Sequence, residues 1–255
     1  GTMPADITAA TIDSSLKPLL FGRDPMHTGV IFEECYNRTK DFGMKGAVIG
    51  AISAIDIALW DLKGQILGLP VHTLLGGAFR TTLAPYATGF YRVEGGAYPG
   101  LLADEAQRHL DAGFTAMKVK IGFGIDDDVR SIQAVRDAVG PEVRILADAN
   151  HAYNAGSARR LVREFDDLDV HWLEEPISPE DIDGYRSLVD MGPKLLIAAG
   201  ENEFSRHGFW PWATSRAVDV LQPDLAAAGG YTGLQQIQTL ALSAGLALNP
   251  HVWGT

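Results

Sequence analysis

Apolar positions along this chain follow two periods. Up to about residue 76 they recur at helical spacing, and turn signals divide the region into predicted helices near 5–20, 27–40 and 46–67. In the last of these, Ile52, Ile55, Leu59, Leu62 and Ile66 share one face, and Gly68 with Pro70 marks the stop. From about residue 83 the pattern becomes strand, turn, helix, repeated. Apolar or β-rich runs occur at APYATGF, AMKVKIG, RILADAN, VHWLEEP, LLIAAGE, VDVLQPD and ALNPHV, with amphipathic segments between them. A strand and helix alternating every roughly 25 residues implies a parallel sheet with helical crossovers. Seven such runs predict an α/β fold of the TIM-type (β/α) barrel class, with a partial helical capping domain at 1–76 and the barrel domain at 77–255.

Composition narrows what such a barrel can bind. The 255 residues are 46% hydrophobic, enough for a large core. A net charge of -11 without any basic run excludes nucleic acid and anionic membrane surfaces as partners, since both reward clustered Lys and Arg. The most apolar stretch, GAVIGAISAIDIALWDLKG, carries Asp56 and Asp61 at helical period and reads as a packed helix, not a membrane span. Cys35 is the single cysteine, so no intramolecular disulfide forms. With no signal-peptide pattern at the start, a cytoplasmic protein is expected. The chain starts without Met and ends just after an apparent strand, so a truncation at the last barrel strand is expected, with open edges at the first and seventh strands.

The chemistry sits where strands end. In a barrel of this kind the carboxyl ends of the strands meet at one mouth. Strand two ends with Lys118 and Lys120, strand three with Asp148 and Asn150, and strand four with Glu174 and Glu175. Strand five ends with Glu201, strand six with Asp224 and strand seven with His251. A single Asp or Asn after a strand commonly caps the next helix. Three converging carboxylates are a different matter, because without a cation they repel and raise one another's pKa. Asp148, Glu174 and Glu201 therefore point to a hard divalent ion, Mg²⁺ first and Mn²⁺ second.

Side-chain alternation puts Lys118 and Lys120 on one face of their strand. Crowding by a second ammonium and a metal lowers a lysine pKa towards the range where it accepts a proton. Lys120, nearer the strand end, is then the base, and Lys118 helps hold a negative substrate oxygen. Across the mouth, Asp224 would orient His251 as a general acid or base. Lysine on one side and histidine on the other describe a site for removing a proton next to a carboxylate.

With these residues in place, the chain resembles the enolase superfamily, and within it the mandelate racemase subgroup. The resemblance runs from AISAIDIALWDLKG through KVKIG, DAN, LEEP and GEN to PDLAAAGGYTG and NPH. It implies metal ligands at Asp148, Glu174 and Glu201, a KxK base at Lys120 with Lys118 beside it, and a dyad of His251 and Asp224. The muconate-lactonizing subgroup instead carries a lysine near strand six, where this chain reads LAAAGG. The resemblance also implies further capping-domain strands and loops and an eighth barrel strand in the parent.

The reaction implied is abstraction of the proton alpha to a carboxylate, giving an enediolate. Return of a proton to the opposite face would racemise. Protonation of a departing β-oxygen would dehydrate an acid sugar or open a sugar lactone in a cycloisomerisation, and this β-elimination is the preferred reading. Asn150, His151, Tyr153 and Asn249 are expected to meet substrate hydroxyls. A racemase or epimerase of a hydroxy acid or amino acid derivative is the alternative, and a catalytically inactive metal-binding barrel is another. The expected partners are a small carboxylate substrate and further copies of the chain in a homo-oligomer.

Overall fold

The structure, a computed structural model, describes residues 4–252. Helix α1 (Ala5–Thr11) continues through a π-helical turn at Ile12–Leu16 into α2 (Lys17–Leu20), followed by α3 (Thr28–Thr39), α4 (Ala47–Leu67) and the short α5 (Val71–Leu74). Strand and helix then alternate. Their order is β1 (Ala87–Thr88), α6 (Gly100–Asp111), β2 (Ala116–Lys120), α7 (Ile125–Val139), β3 (Arg144–Asp148), α8 (Ala155–Asp167) and β4 (Val170–Glu174). The chain continues through α9 (Ile182–Val189), β5 (Leu196–Ala199), α10 (Ser205–Ser215), β6 (Val220–Leu221), α11 (Gly230–Ala244) and β7 (Ala247–Leu248). The strands pair in chain order, as the alternating pattern predicts. No helix among the described residues is long and apolar enough to cross a membrane.

Two compact units divide these elements. One comprises Gly1–Thr82, Gly200–Thr214 and Leu221–Thr255, and the other Leu83–Ala199 and Ser215–Val220.

In the first unit, α3 and α4 pack through Ile31, Phe32, Cys35 and Tyr36 against Ile49, Ala51, Ile52 and Ile55, with Leu16 closing the cluster. Helix α4 ends at Gly68, whose φ of 64° is a left-handed conformation that returns its amide to Gln65 and lets Leu69 cap Gly64. Burial, with a smaller effect from Glu34, raises the Cys35 thiol to about 11, so it stays protonated and chemically inert. Helix α11 docks on α4 through polar groups. Asp56 is buried, and its carboxylate accepts the Thr232 amide at 2.9 Å and the Thr232 hydroxyl at 2.5 Å. Trp60 Nε1 donates to the same hydroxyl at 3.0 Å, and Ser53 Oγ accepts the Gly229 amide at 2.8 Å.

In the second unit, β1 to β5 are parallel. Their register runs in rows. Lys118, Leu146, Trp172 and Leu196 form one row, and Lys120, Asp148, Glu174 and Ala198 the next. Leu146, Trp172, Ala198 and Val220, with Tyr86, Ala116 and Leu196, make an apolar layer beneath the charged row. Alternate residues Met117, Val119, Ile145, Ala147, Leu173 and Ile197 are fully buried on the other face. A sheet buried on both faces explains why these runs read as near-continuous apolar segments.

Several predicted strands are shorter than their apolar runs. Only Ala87 and Thr88 of the first run pair, because Pro85 has no amide to donate and Phe90 turns to a φ of 60°, giving its N–H to Glu105. The sixth and seventh runs shrink to two residues each, with Pro223 and Pro250 close behind.

Candidate active site

Each unit holds one set of the predicted residues. In the second unit, parallel register places the ends of β2, β3 and β4 side by side, and period-two alternation turns Lys118, Lys120, Asp148 and Glu174 to the same face. Lys118 Nζ donates to Glu174 Oε1 at 2.6 Å and lies 3.4 Å from Asp148 Oδ2. Lys120 Nζ is paired with Asp148 Oδ2 and donates to Asn150 Oδ1 at 2.9 Å. Asp148 and Glu174 are 0% and 1% exposed.

Two cations against two buried carboxylates set the protonation states. Burial works against the Asp148 carboxylate, but Lys118 and Lys120 outweigh it and hold the pKa below the usual range. Burial likewise works against the Lys118 ammonium, but Glu174 and Asp148, aided by Tyr86, raise its pKa above that of a free lysine. Lys118 is therefore held as an ammonium by the acids facing it.

In the first unit, Asp224 and His251, beyond the ends of β6 and β7, form an isolated parallel bridge, and Asp224 Oδ2 lies 2.7 Å from His251 Nδ1. Burial opposes the Asp224 charge, but the bond from His251 and the amides of Ala226 and Ala227 hold its pKa low. The carboxylate therefore stays ionised and fixes the imidazole. The other nitrogen, Nε2, stands 3.3 Å from Glu201 Oε2. That Glu201 oxygen is buried and, among the described residues, accepts no hydrogen bond.

The four residues expected to touch substrate fare differently. Asn150 is exposed and holds Lys120, and its amide closes a turn on Asp148 Oδ1 at 3.0 Å. His151 is exposed, with its amide on Glu175 O. Asn249 is exposed and its amide pairs with Leu221 O. Tyr153 instead engages its hydroxyl with Asp128 and with the Gly124 amide at 3.1 Å.

Sequence reasoning overlooked Asp128, which lies within the run DDD at 126–128 and reads as a solvated helix start. Its spacing to Ile132, Val135 and Val139, all on the buried stripe of α7, was the available signal.

The donor set suits a hard cation. Asp148, Glu174 and Glu201 offer only carboxylate oxygens, the chemistry of Mg²⁺ and Mn²⁺, and the buried oxygen of Glu201 lacks the hydrogen bond that such an atom normally receives.

Comparison with known proteins agrees with this chemistry. Residues 101–255 match the model described as "Enolase C-terminal domain-like", and residues 2–76 match "Mandelate racemase / muconate lactonizing enzyme, N-terminal domain". The chain is 40% identical over 252 residues to a D-galactarolactone cycloisomerase from Agrobacterium fabrum, covering 99% of this chain and 66% of that protein. It is 34% identical over 248 residues to an arabinonate dehydratase from Saccharolobus solfataricus, covering 97% and 66%. It superimposes on the crystal structure of a 3,6-anhydro-D-galactonate cycloisomerase from Zobellia galactanivorans with a TM-score of 0.93 and 42% identity, covering 100% of this chain and 70% of that one. The chain thus spans about two thirds of the length of these curated relatives.

Proposed function

The chain belongs to the mandelate racemase and muconate lactonizing enzyme family of the enolase superfamily, and on that premise we propose that it carries out β-elimination on an acid sugar or its lactone. Asp148, Glu174 and Glu201 would together hold one Mg²⁺, in a capping and barrel arrangement divided near residue 76. The bound ion would supply positive charge for the carboxylate oxygens as the alpha proton leaves.

The chain's own residues divide the remaining work. Lys120, having released its proton to solvent, takes the alpha proton on Nζ, and the electron pair passes into the carboxylate as an enediolate. Lys118, held as an ammonium, faces the negative oxygen that develops. As the pair returns, the bond from the β-carbon to oxygen breaks and His251 Nε2 gives that oxygen a proton. The resulting enol becomes a keto-deoxy acid. The same step opens a lactone ring when the departing oxygen belongs to it. Exposed Asn150, His151 and Asn249 offer polar groups that suit a polyol chain.

The observation that carries this reading is the set of buried Lys118, Asp148 and Glu174 with half-buried Lys120 at adjacent strand ends. Ammonium groups this close to carboxylates are costly scaffolding but suitable acid and base machinery. The test is a panel of aldonic and aldaric acids and their lactones, assayed with Mg²⁺ in heavy water. Keto-deoxy product, with deuterium at the carbon that lost the β-oxygen, and recovered substrate with deuterium at the alpha position are expected for at least one member. Racemised or epimerised substrate without keto-deoxy product would replace β-elimination by the racemase reading, and an inert panel would contradict both.

A further inference from the structure

The loop that follows Lys120 is held more firmly than a connection between a strand and a helix requires. Asp128 is fully buried, and its carboxylate accepts the Gly122 amide at 2.8 Å, the Phe123 amide at 3.2 Å and the Tyr153 hydroxyl. Tyr153 Oη in turn accepts the Gly124 amide at 3.1 Å. Three successive amides after Ile121 therefore end on one pair of side chains. The Ile121 amide itself bonds to Asp148 O at 2.9 Å. Gly122, at a φ of 110°, lies so close to the next loop that a Cβ there would meet Ala152 Cβ at 2.8 Å and Ala149 O at 3.3 Å.

That next loop carries its own strain. Asn150 and His151 are consecutive residues with φ of 40° and 53°, a conformation that costs energy for residues other than glycine and persists only where surroundings dictate it. The dictating contacts are the His151 amide on Glu175 O at 2.7 Å, the Tyr153 amide on Pro176 O at 3.1 Å, and the Tyr153 hydroxyl on Asp128. Asn150 Oδ1 accepts from Lys120 Nζ, so the strained turn ends on the proposed base. On its other side the loop is covered by Arg92, whose guanidinium lies 4.2 Å from the Phe123 ring centre while pairing with Asp127.

We infer that Asp128 and Tyr153 are a positioning pair that locks the loops after β2 and β3 together and so holds Lys120 Nζ between Asp148 and Asn150. Neither residue touches substrate; both act through the loop and the strained turn. Burial, then the Asp128 carboxylate, raises the Tyr153 phenol above its ordinary pKa, so it remains a donor at neutral pH. The inference rests on the proposed role of Lys120 for its catalytic consequence, although the lock itself does not depend on that role.

Tyr153→Phe removes one hydroxyl and keeps the ring, and Asp128→Asn serves as a second variant. Two readouts separate the lock from the chemistry. Amide hydrogen exchange across 119–125 should accelerate at least about tenfold in Tyr153→Phe while peptides of α9 stay as in the parent. With a turned-over acid sugar in heavy water, deuterium entry at the alpha carbon of recovered substrate should fall about ten- to a hundredfold while KM changes little, a split that general destabilisation would not produce. Unchanged amide exchange in both variants, or alpha deuterium entry within about twofold of the parent in both, would overturn the inference. If the parent protein exchanges no substrate at all, the reading of Lys120 as base fails, and the amide measurement still decides the lock.

Discussion

Replacing Lys120 by methionine is expected to lower kcat for the alpha-proton step by about a thousandfold, with loss of deuterium entry at the alpha carbon of recovered substrate. Positioned general bases contribute roughly a hundred- to ten-thousandfold, and no other neutralisable amine can take the place of Lys120. Lys118, the nearest cation, is pinned as an ammonium by Glu174 and Asp148, and its pKa is raised. Methionine keeps the length and apolar stem of the side chain, so the fold should persist. Asp148 retains Lys118 at 3.4 Å and the Asn150 amide at 3.0 Å, which keeps its carboxylate from being buried unpaired. His251→Asn should give the mirror result, exchange at the Lys120 face with no protonation of the leaving group. Stopped-flow or endpoint NMR in heavy water distinguishes the two, and a Lys120→Met variant that still exchanges the alpha proton would exclude Lys120 as the base.

The second large effect concerns stability. Asp56→Ala is expected to cost about 3 kcal/mol, from loss of two hydrogen bonds to a charged acceptor that leaves the Thr232 amide and hydroxyl without their present acceptor. Asp56→Asn should cost about 1 kcal/mol, since its Oδ1 still accepts the Thr232 amide. In that variant the Thr232 hydroxyl, already accepting from Trp60 Nε1 at 3.0 Å, is left without its present acceptor. Burial raises the Asp56 pKa despite the Thr232 bonds. A folded pKa above the unfolded one makes the folded state bind more protons between the two values, so this group's contribution declines as pH rises through that window. Urea denaturation of both variants checks the ranking, and equal costs would show that packing, not the acceptor, matters at this site.

Much of this was legible in the chain. The inner strands β2 to β5 stood out because burial on both faces makes their sequences apolar without interruption, and the helices at 5–20, 27–40 and 46–67 because their apolar residues recur at helical spacing, with Gly68 closing the last. The outermost strands were overestimated, since apolar runs do not reveal that proline or a left-handed residue removes the ladder. The charged row was readable from strand ends because parallel register brings those ends level. Partnerships over long sequence distance were not readable. Asp56 with Thr232, and Asp128 with Tyr153, join segments whose individual patterns give no sign of each other. Tyr153 read as a substrate contact from its place after DAN, and the pairing of its hydroxyl with Asp128 left no trace in either segment's pattern.

Crystals of the protein grown with Mn²⁺, measured at a wavelength where manganese scatters anomalously, address the shared ion that the proposed chemistry depends on. One peak is expected, with an oxygen of Asp148, of Glu174 and of Glu201 each about 2.1 Å from it. A peak that leaves any of the three carboxylates outside coordination distance, or no peak at saturating Mn²⁺, would contradict it.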